Sequence, residues 1–179
     1  MLIVTTHEVA GRLKNLDQAC EILIIGSGIS GTLAATVLSR AGYDVGLVDR
    51  HAEYPRDFRA EHLDGSMIDV LARLGLLEGL TDGLYKGETV SLARFGRVIG
   101  TTPTLNYGLR YESLVKRARM ALPPSVRVIT GRVTKIDTSD SLQHVSLADN
   151  RTLTARLIIL ATGQGYGLCK QIGLRRRTL

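Results

Sequence analysis

With 179 residues, 44% of them apolar and 22% charged, the chain has enough length for one domain, or one and a half, and for a real buried core. That composition excludes a disordered or collagen-like chain. The charge is +6, from 23 basic and 17 acidic residues, and part of the excess is the terminal Arg175, Arg176 and Arg177. We read that cluster as a solvated tail rather than a nucleic-acid site, because aromatics are only 4% and no recognition motif accompanies it. Cys20 and Cys169 are the two cysteines, too few for a disulfide scaffold. The start, MLIVTTHEVAGRLKN, has no basic segment followed by an apolar run, so no secretory signal is expected and a reducing, cytoplasmic setting fits. The longest apolar runs are about five residues, against about 20 for a membrane span. No metal site is expected.

Residues 1–19 show weak helical spacing and read as an N-terminal extension, with 20–179 forming the domain. Glu21 to Ile25 is an apolar run suited to a buried parallel strand. Gly26-Ser27-Gly28-Ile29-Ser30-Gly31 follows. Leu33, Ala34, Val37, Leu38 and Ala41 then recur at helical spacing until Gly42 stops the helix. Val45 to Val48 is the next strand, closed by Asp49. This strand–helix–strand unit of about 29 residues predicts an α/β fold with a parallel sheet. Residues 50–62 are polar and irregular around Pro55. Leu63 to Leu74 reads as a helix stopped by Gly75. Val90 to Phe95 and Arg97 to Thr101 suggest a hairpin around Gly96, broken at Pro103. Tyr111 to Leu122 reads as a helix ended by Pro123-Pro124. Short strands follow at Val126–Thr130, Val133–Ile136, Val145–Leu147 and Arg151–Thr154, and Leu157 to Leu160 is the last.

Gly26-x-Gly28-x-x-Gly31 is weak evidence by itself. Here it follows a predicted strand, opens a predicted helix, and has an acid, Asp49, 23 positions beyond its first glycine. Gly26 permits the tight turn, Gly28 the approach of a pyrophosphate, and Gly31 close helix packing. The backbone N–H groups of this turn, including those of Ser27, Ile29 and Ser30, would face the phosphates at the positive end of the helix. Asp49 would accept hydrogen bonds from an adenosine ribose. A carboxylate there disfavours a 2′-phosphate, so this site suits FAD or NAD rather than NADP.

Four features together resemble the N-terminal part of the FAD-dependent monooxygenases of the aromatic-hydroxylase type, within the glutathione-reductase-like flavoproteins. They are GSGISG with Asp49-Arg50; Phe58-Arg59-Ala60-Glu61-His62-Leu63 before a helix ending Leu74-Gly75-Leu76; Tyr107 to Leu114; and Leu157-Ile-Ile-Leu-Ala-Thr162-Gly163 with Lys170 to Leu174 behind it. The resemblance implies a Rossmann-like, three-layer FAD/NAD(P)-binding domain, with a parallel sheet, a small β-meander over about residues 126–155 on one side, and helices on the other. It implies FAD as cofactor and NAD(P)H as reductant. It places Arg50 beside the adenine or ribose, if it is not simply a solvated loop arginine. Arg59 would stand near the flavin pyrophosphate. Arg110 would contact the ribityl–phosphate arm, a place Tyr111 contests because Arg110 precedes Leu114 by four positions rather than three. Val133 would offer its backbone to adenine, or only pack in its strand. Ala60, Glu61 and His62 would pass near the flavin ring, His62 without being marked as an acid or base.

At Thr162-Gly163 the chain departs from the hydroxylase pattern, which carries Asp-Gly. Thr162 can hydrogen-bond but carries no charge. Cys169 has no CxxC partner and no redox role is expected. No catalytic residue can be named. The resemblance also implies a later Gly-Asp motif and a substrate-covering sheet, neither of them within these 179 residues, so the domain reads as C-terminally incomplete. The function expected is that of a FAD-binding oxidoreductase of the monooxygenase type acting on an unknown small molecule, with a possible missing C-terminal half. The alternatives are a geranylgeranyl-reductase-like or halogenase-like flavoenzyme, or a non-catalytic nucleotide-binding remnant.

Overall fold

The structure, a computed structural model, describes residues 19–174. Of the extension read over residues 1–19, residues 1–18 lie outside the described residues, as does the tail Arg175 to Arg177, and Ala19 already begins the first strand. The chain divides into two compact units: unit 1 comprises residues up to Tyr54 and from Leu122 onward, and unit 2 is the continuous stretch Pro55–Ala121.

Unit 1 begins with β1 (Ala19–Ile25), α1 (Ile29–Arg40) and β2 (Val45–Asp49), and resumes with β6 (Arg127–Thr130), β7 (Val133–Asp137), β8 (Gln143–Leu147), β9 (Thr152–Leu160) and α5 (Gly167–Gln171). Its six strands are ordered β6-β2-β1-β9-β8-β7. The pairs β6–β2, β2–β1 and β1–β9 are parallel, and β9–β8 and β8–β7 are antiparallel. The α/β class and the mostly parallel sheet therefore stand. Residues 127–130 belong to the parallel part and not to the meander.

Only Gly131 and Arg132 separate β6 from β7, yet these strands are the two edges of the sheet. The link can span at most about 11 Å. In a flat sheet five inter-strand steps would set the edges about 24 Å apart. The sheet therefore curls, and β7 and β8 close over one face of the parallel strands. The enclosed space is filled by Leu23, Ile25, Val48, Ile136, Val145, Leu147, Leu153 and Ala155. Ile22, Ile24, Val45 and Leu47 point the other way and pack with Ala35 of α1.

The bend is visible in β1 and β9, which pair Cys20 with Ala155 and Ile22 with Leu157. Cys20 and Ala155 face the enclosed cluster, whereas Ile22 and Leu157 face the α1 side. The change of face falls at Glu21 and Arg156, where the amides of Glu21 and Ile22 both donate to the Asp44 carbonyl at 3.0 and 3.1 Å. In sequence this change of parity looks like a gap between two strands, Arg151–Thr154 and Leu157–Leu160; in the structure they are the single strand β9.

The buried stripe of α1 also differs from the periodic reading. Gly31, Thr32, Ala35 and Thr36 are buried, and Val37 and Ala41 are exposed. Small residues let the helix approach the sheet closely. The two threonine hydroxyls are satisfied by donating back to the Ser27 and Thr32 carbonyls at 3.2 and 2.9 Å.

The two thiols are unpaired, and Cys20 is buried. Burial pushes the Cys20 pKa up to about 11 from 9.0. The unfolded chain would therefore lose this proton first as pH rises, and linkage then favours unfolding. Stability measured by urea unfolding should fall between about pH 9 and pH 11. Cys20→Ala should flatten part of that fall; an identical pH profile in the variant would refute the assignment.

Unit 2 holds β3 (Ala60–Asp64), α2 (Gly65–Arg73), α3 (Leu77–Thr81), β4 (Tyr85–Arg94), β5 (Arg97–Arg110) and α4 (Tyr111–Met120). Its sheet is ordered β3-β5-β4, antiparallel throughout. The helix expected from Leu63 starts at Gly65, because residues 60–64 pair as a strand with β5. It does end before Gly75, whose φ of +63° suits glycine. Pro103 does not break β5. It faces Thr89 beside a register shift, and β3 reaches only from Arg110 to Asn106, so no strand on that side asks Pro103 for an N–H. Leu63, Leu71, Leu80, Leu109, Leu114 and Val115 form the small buried interior.

Candidate functional site

In unit 1 the C-terminal ends of three adjacent parallel strands meet: Ile25 of β1, Asp49 of β2 and Leu160 of β9. The chain leaves β1 for β2 on one side, while β9 lies on the other. Open parallel sheets bind ligands at such a point. The turn Gly26 to Gly31 sits here. The Gly26 amide donates to the Val48 carbonyl and the Ala161 amide to the Ile25 carbonyl, both at 2.8 Å.

The glycines are required by contact, not only by flexibility. Gly26 has φ +102°, and a Cβ on it would lie 2.5 Å from the Ala161 carbonyl oxygen. A Cβ on Gly31 would lie 1.8 Å from the Gly26 carbonyl oxygen and 3.1 Å from the Ala161 Cβ. Turn, helix and the end of β9 thus interlock. Gly31 serves the contact of α1 with the turn more than with the strand. Ala161, the small residue just beyond the last apolar run, is the partner that motif reading missed.

Gly28 is the N-cap of α1 and supplies no side-chain cap, and the first turn holds no acid. The positive end of the helix is therefore not answered by a carboxylate of its own first turn. Ser27 is buried, Ile29 is half-buried and Ser30 is exposed at the start of the helix. Asp49 is already at work: its Oδ2 accepts the Ser27 amide at 2.7 Å and its Oδ1 the His51 amide at 2.9 Å. The acid thus binds the turn to the end of β2, a role in addition to the ribose contact expected of it. Arg50 is exposed, and no ion pair holds it among the described residues.

The curled sheet brings the start of β7 to the same end. The Gly131 amide donates to the Asp49 carbonyl at 2.8 Å, two residues before Val133. Val133 pairs with Leu147 and packs against the enclosed cluster, so its packing role is real whatever its backbone does for a ligand. Thr162 turns inward on its own loop. Its Oγ1 donates to the Gly165 carbonyl at 2.9 Å, and the Gly165 amide returns a bond to the Thr162 carbonyl at 3.0 Å. Gly163, at φ +59°, completes that turn. The hydroxyl at 162 therefore has a local structural use.

Arg59 and Arg110 belong to unit 2. Residues Ala60 and Arg110 are paired across β3 and β5, which sets the two arginines at one end of that sheet. The Arg59 guanidinium bonds Glu61 and lies 4.2 Å from the centroid of the Tyr111 ring. Glu61 holds the Arg59 pKa above its already high value, against a smaller effect of desolvation. Arg110 Nη1 lies 3.2 Å from Glu112 Oε1, and Glu112 Oε2 accepts the Asp57 amide at 2.9 Å. Each cation thus has a carboxylate two residues further along the chain. Sequence reading placed Glu61 near the flavin ring and did not anticipate it as the partner of Arg59, nor Tyr111 as a ring partner, nor Glu112. His62 stands on β3 with its Nε2 3.2 Å from Asp64 Oδ2, both side chains largely exposed. Among the described residues, no group of three or more His, Cys, Asp or Glu could hold a metal ion.

Compared with known families, residues 19–171 match the FAD binding domain. The chain belongs to that family. The FAD binding domain match takes in nearly every described residue, and it includes the glycine turn, Asp49 and both arginines. Among curated proteins, the chain is similar to 6-hydroxynicotinate 3-monooxygenase of Bordetella bronchiseptica, 27% identical over 154 residues, covering 79% of this chain and 40% of that protein. It is also similar to squalene monooxygenase of Mus musculus, 29% identical over 163 residues, covering 80% of this chain and 28% of that protein. Among solved structures, p-nitrophenol 4-monooxygenase from Pseudomonas putida DLL-E4 superposes with a TM-score of 0.74 at 20% identity, over 90% of this chain and 46% of that one, a likeness of fold. The chain spans less than half the length of each of these proteins.

The residues present fit the adenosine-diphosphate side of FAD. The turn is held in place by glycines packed against backbone, its helix N-terminus lacks a side-chain cap, and an acid ends the neighbouring strand.

Proposed function

We propose that this chain provides the FAD-binding part of an NAD(P)H-dependent flavoprotein monooxygenase acting on a small molecule. The interlock of Gly26, Gly31 and Ala161, with Asp49 bonded into it, is the observation that carries this reading. It holds the Gly28 to Gly31 segment at the end of α1 that has no side-chain cap, the positive end of the helix, where a diphosphate would be stabilised. Asp49 would accept from the ribose hydroxyls while keeping the turn closed. Arg50 would flank the adenosine, and the backbone at Val133 would border it through the Gly131–Asp49 contact. Arg59 and Arg110 of unit 2 each keep a carboxylate partner, and a phosphate oxygen could take the place of either carboxylate by charge-assisted bonding. FAD, when bound, supplies the electron transfer from the reduced nicotinamide and the oxygen chemistry.

The relatives extend well beyond the span they share with this chain. Thr162 gives no support to a reductase-like reading, since its hydroxyl closes its own turn. The two unpaired thiols fit a reducing compartment, the cytoplasm. No described helix is long and apolar enough to cross a membrane.

Calorimetric titration of the chain with FAD tests the reading. Saturable binding is expected, with ADP competing and FMN not competing, because the residues present address the adenosine half. A protein that takes up no FAD, or one from which FMN displaces FAD while ADP does not, overturns it. FAD-dependent oxidation of NAD(P)H with oxygen uptake then tests the monooxygenase assignment.

A further inference from the structure

Thr32 closes the first turn of α1 and is wholly buried, and its hydroxyl bonds in an unusual place. A threonine inside a helix ordinarily donates to the carbonyl four residues back. Thr36 does so, to Thr32 at 2.9 Å. Thr32 reaches one residue further, past the helix and into the glycine turn, where its Oγ1 donates to the Ser27 carbonyl at 3.2 Å. Its own amide donates to the Gly28 carbonyl at 3.0 Å. Residue 32 thus holds two successive carbonyls of the turn, one through its side chain and one through its backbone.

Peptide geometry turns the hydroxyl bond into an orientation. In a trans peptide the C=O and N–H groups point in opposite directions, and no peptide among the described residues is cis. The peptide joining Ser27 to Gly28 has its oxygen on Thr32, so its N–H, that of Gly28, faces away from the Thr32 hydroxyl. The preceding peptide is set the same way. Its oxygen, that of Gly26, faces Gly31, and its N–H, that of Ser27, goes to Asp49 at 2.7 Å. Two successive carbonyls therefore face the helix, and two successive amides face away from it. Backbone amides turned in this way are anion-binding groups. Asp49 takes the Ser27 amide. No described residue accepts the Gly28 amide, and Gly28 is only half-buried.

We propose that Thr32 is a positioning residue for the diphosphate of FAD: its hydroxyl, acting through the Ser27 carbonyl, keeps the Gly28 amide turned toward the phosphate. The inference rests on the FAD reading above and deepens it, because it gives this work to one buried hydroxyl that lies behind the turn. Without the hydroxyl the Ser27 carbonyl loses its donor in a buried place. The peptide is then free to rotate, since Gly28 accepts backbone angles that other residues do not.

Titration of the full chain with FAD, ADP and adenosine tests this. Thr32→Val keeps the branched shape and removes the hydroxyl. It should weaken FAD and ADP about tenfold and leave adenosine within about twofold, because adenosine has no phosphate for Gly28 to meet. Thr32→Ser keeps the hydroxyl and should bind all three as the wild type does. A loss caused only by a loosened core would weaken all three ligands and would not be repaired by serine. In isotope-labelled wild-type chain, the Gly28 amide proton should move downfield with ADP and stay in place with adenosine, a measurement that needs no variant to fold. The proposal is overturned if T32V keeps wild-type ADP affinity, if it loses adenosine as fully as ADP, if T32S binds ADP as weakly as T32V, or if the Gly28 resonance ignores ADP. A wild-type chain that binds neither FAD nor ADP overturns the FAD reading itself, and this inference with it.

Discussion

Gly31→Ala should abolish FAD binding and cost about 3 kcal/mol of stability, the upper range for overpacking a fitted contact. The added carbon would fall 1.8 Å from the Gly26 carbonyl oxygen, a backbone atom with no rotamer to escape into. Relief requires α1 to move away from the turn. That opens the small-residue contact of Thr32, Ala35 and Thr36 with the sheet and displaces the amides proposed to face the diphosphate. Gly42→Ala is the control. Its φ of +92° makes alanine strained, but nothing lies within 4 Å, so only the conformational cost of about 1 kcal/mol applies. Urea unfolding and FAD titration should separate the two variants clearly. Equal, small losses in both would mean that the interlock is not what holds the turn.

Asp49→Ala should weaken FAD at least tenfold and lower stability by about 2 kcal/mol, because it strands a buried amide that a carboxylate now satisfies. Ser27 is 3% exposed, so water cannot readily replace the Asp49 oxygen on its N–H. Asp49→Asn divides the two roles. An amide oxygen can still accept the Ser27 N–H, so most of the stability should return. Its NH2 group cannot accept from a ribose hydroxyl, so FAD affinity should remain low. If Asp49→Ala leaves FAD affinity intact, Asp49 does not touch the cofactor. If Asp49→Asn recovers both properties, its role is confined to closing the turn.

Sequence reading found the first strand, the glycine turn, the helix and Asp49 because each is a local event. A buried run, a turn needing φ +102° at Gly26 and a helix stop at Gly42 each leave a mark within a few residues. It missed what depends on partners distant in sequence. Pro103 looks like a strand breaker until β3 is seen to end before reaching it. Arg156 looks like a gap until β1 is seen to change face at the same level. The apolar spacing of α1 pointed to Val37, whereas the buried stripe follows small and hydroxyl residues whose fit depends on the sheet beneath them. Arg59 and Arg110, 51 positions apart, are brought to one sheet end by the pairing of β3 with β5, and their carboxylate partners come with them.

The amino-acid sequence by itself determined that a strand, a glycine turn, a helix and an acid follow one another at the spacing a dinucleotide requires, since chain stereochemistry and short-range periodicity encode that much. Only the tertiary structure decided that Gly31 rests on the Gly26 carbonyl, that Asp49 holds the turn shut, and that a two-residue link curls the sheet until Gly131 meets Asp49. The last two join residues 22 and 82 positions apart, and whether they form depends on how strand order and sheet curvature bury the apolar faces, a property of the whole fold that no local window contains.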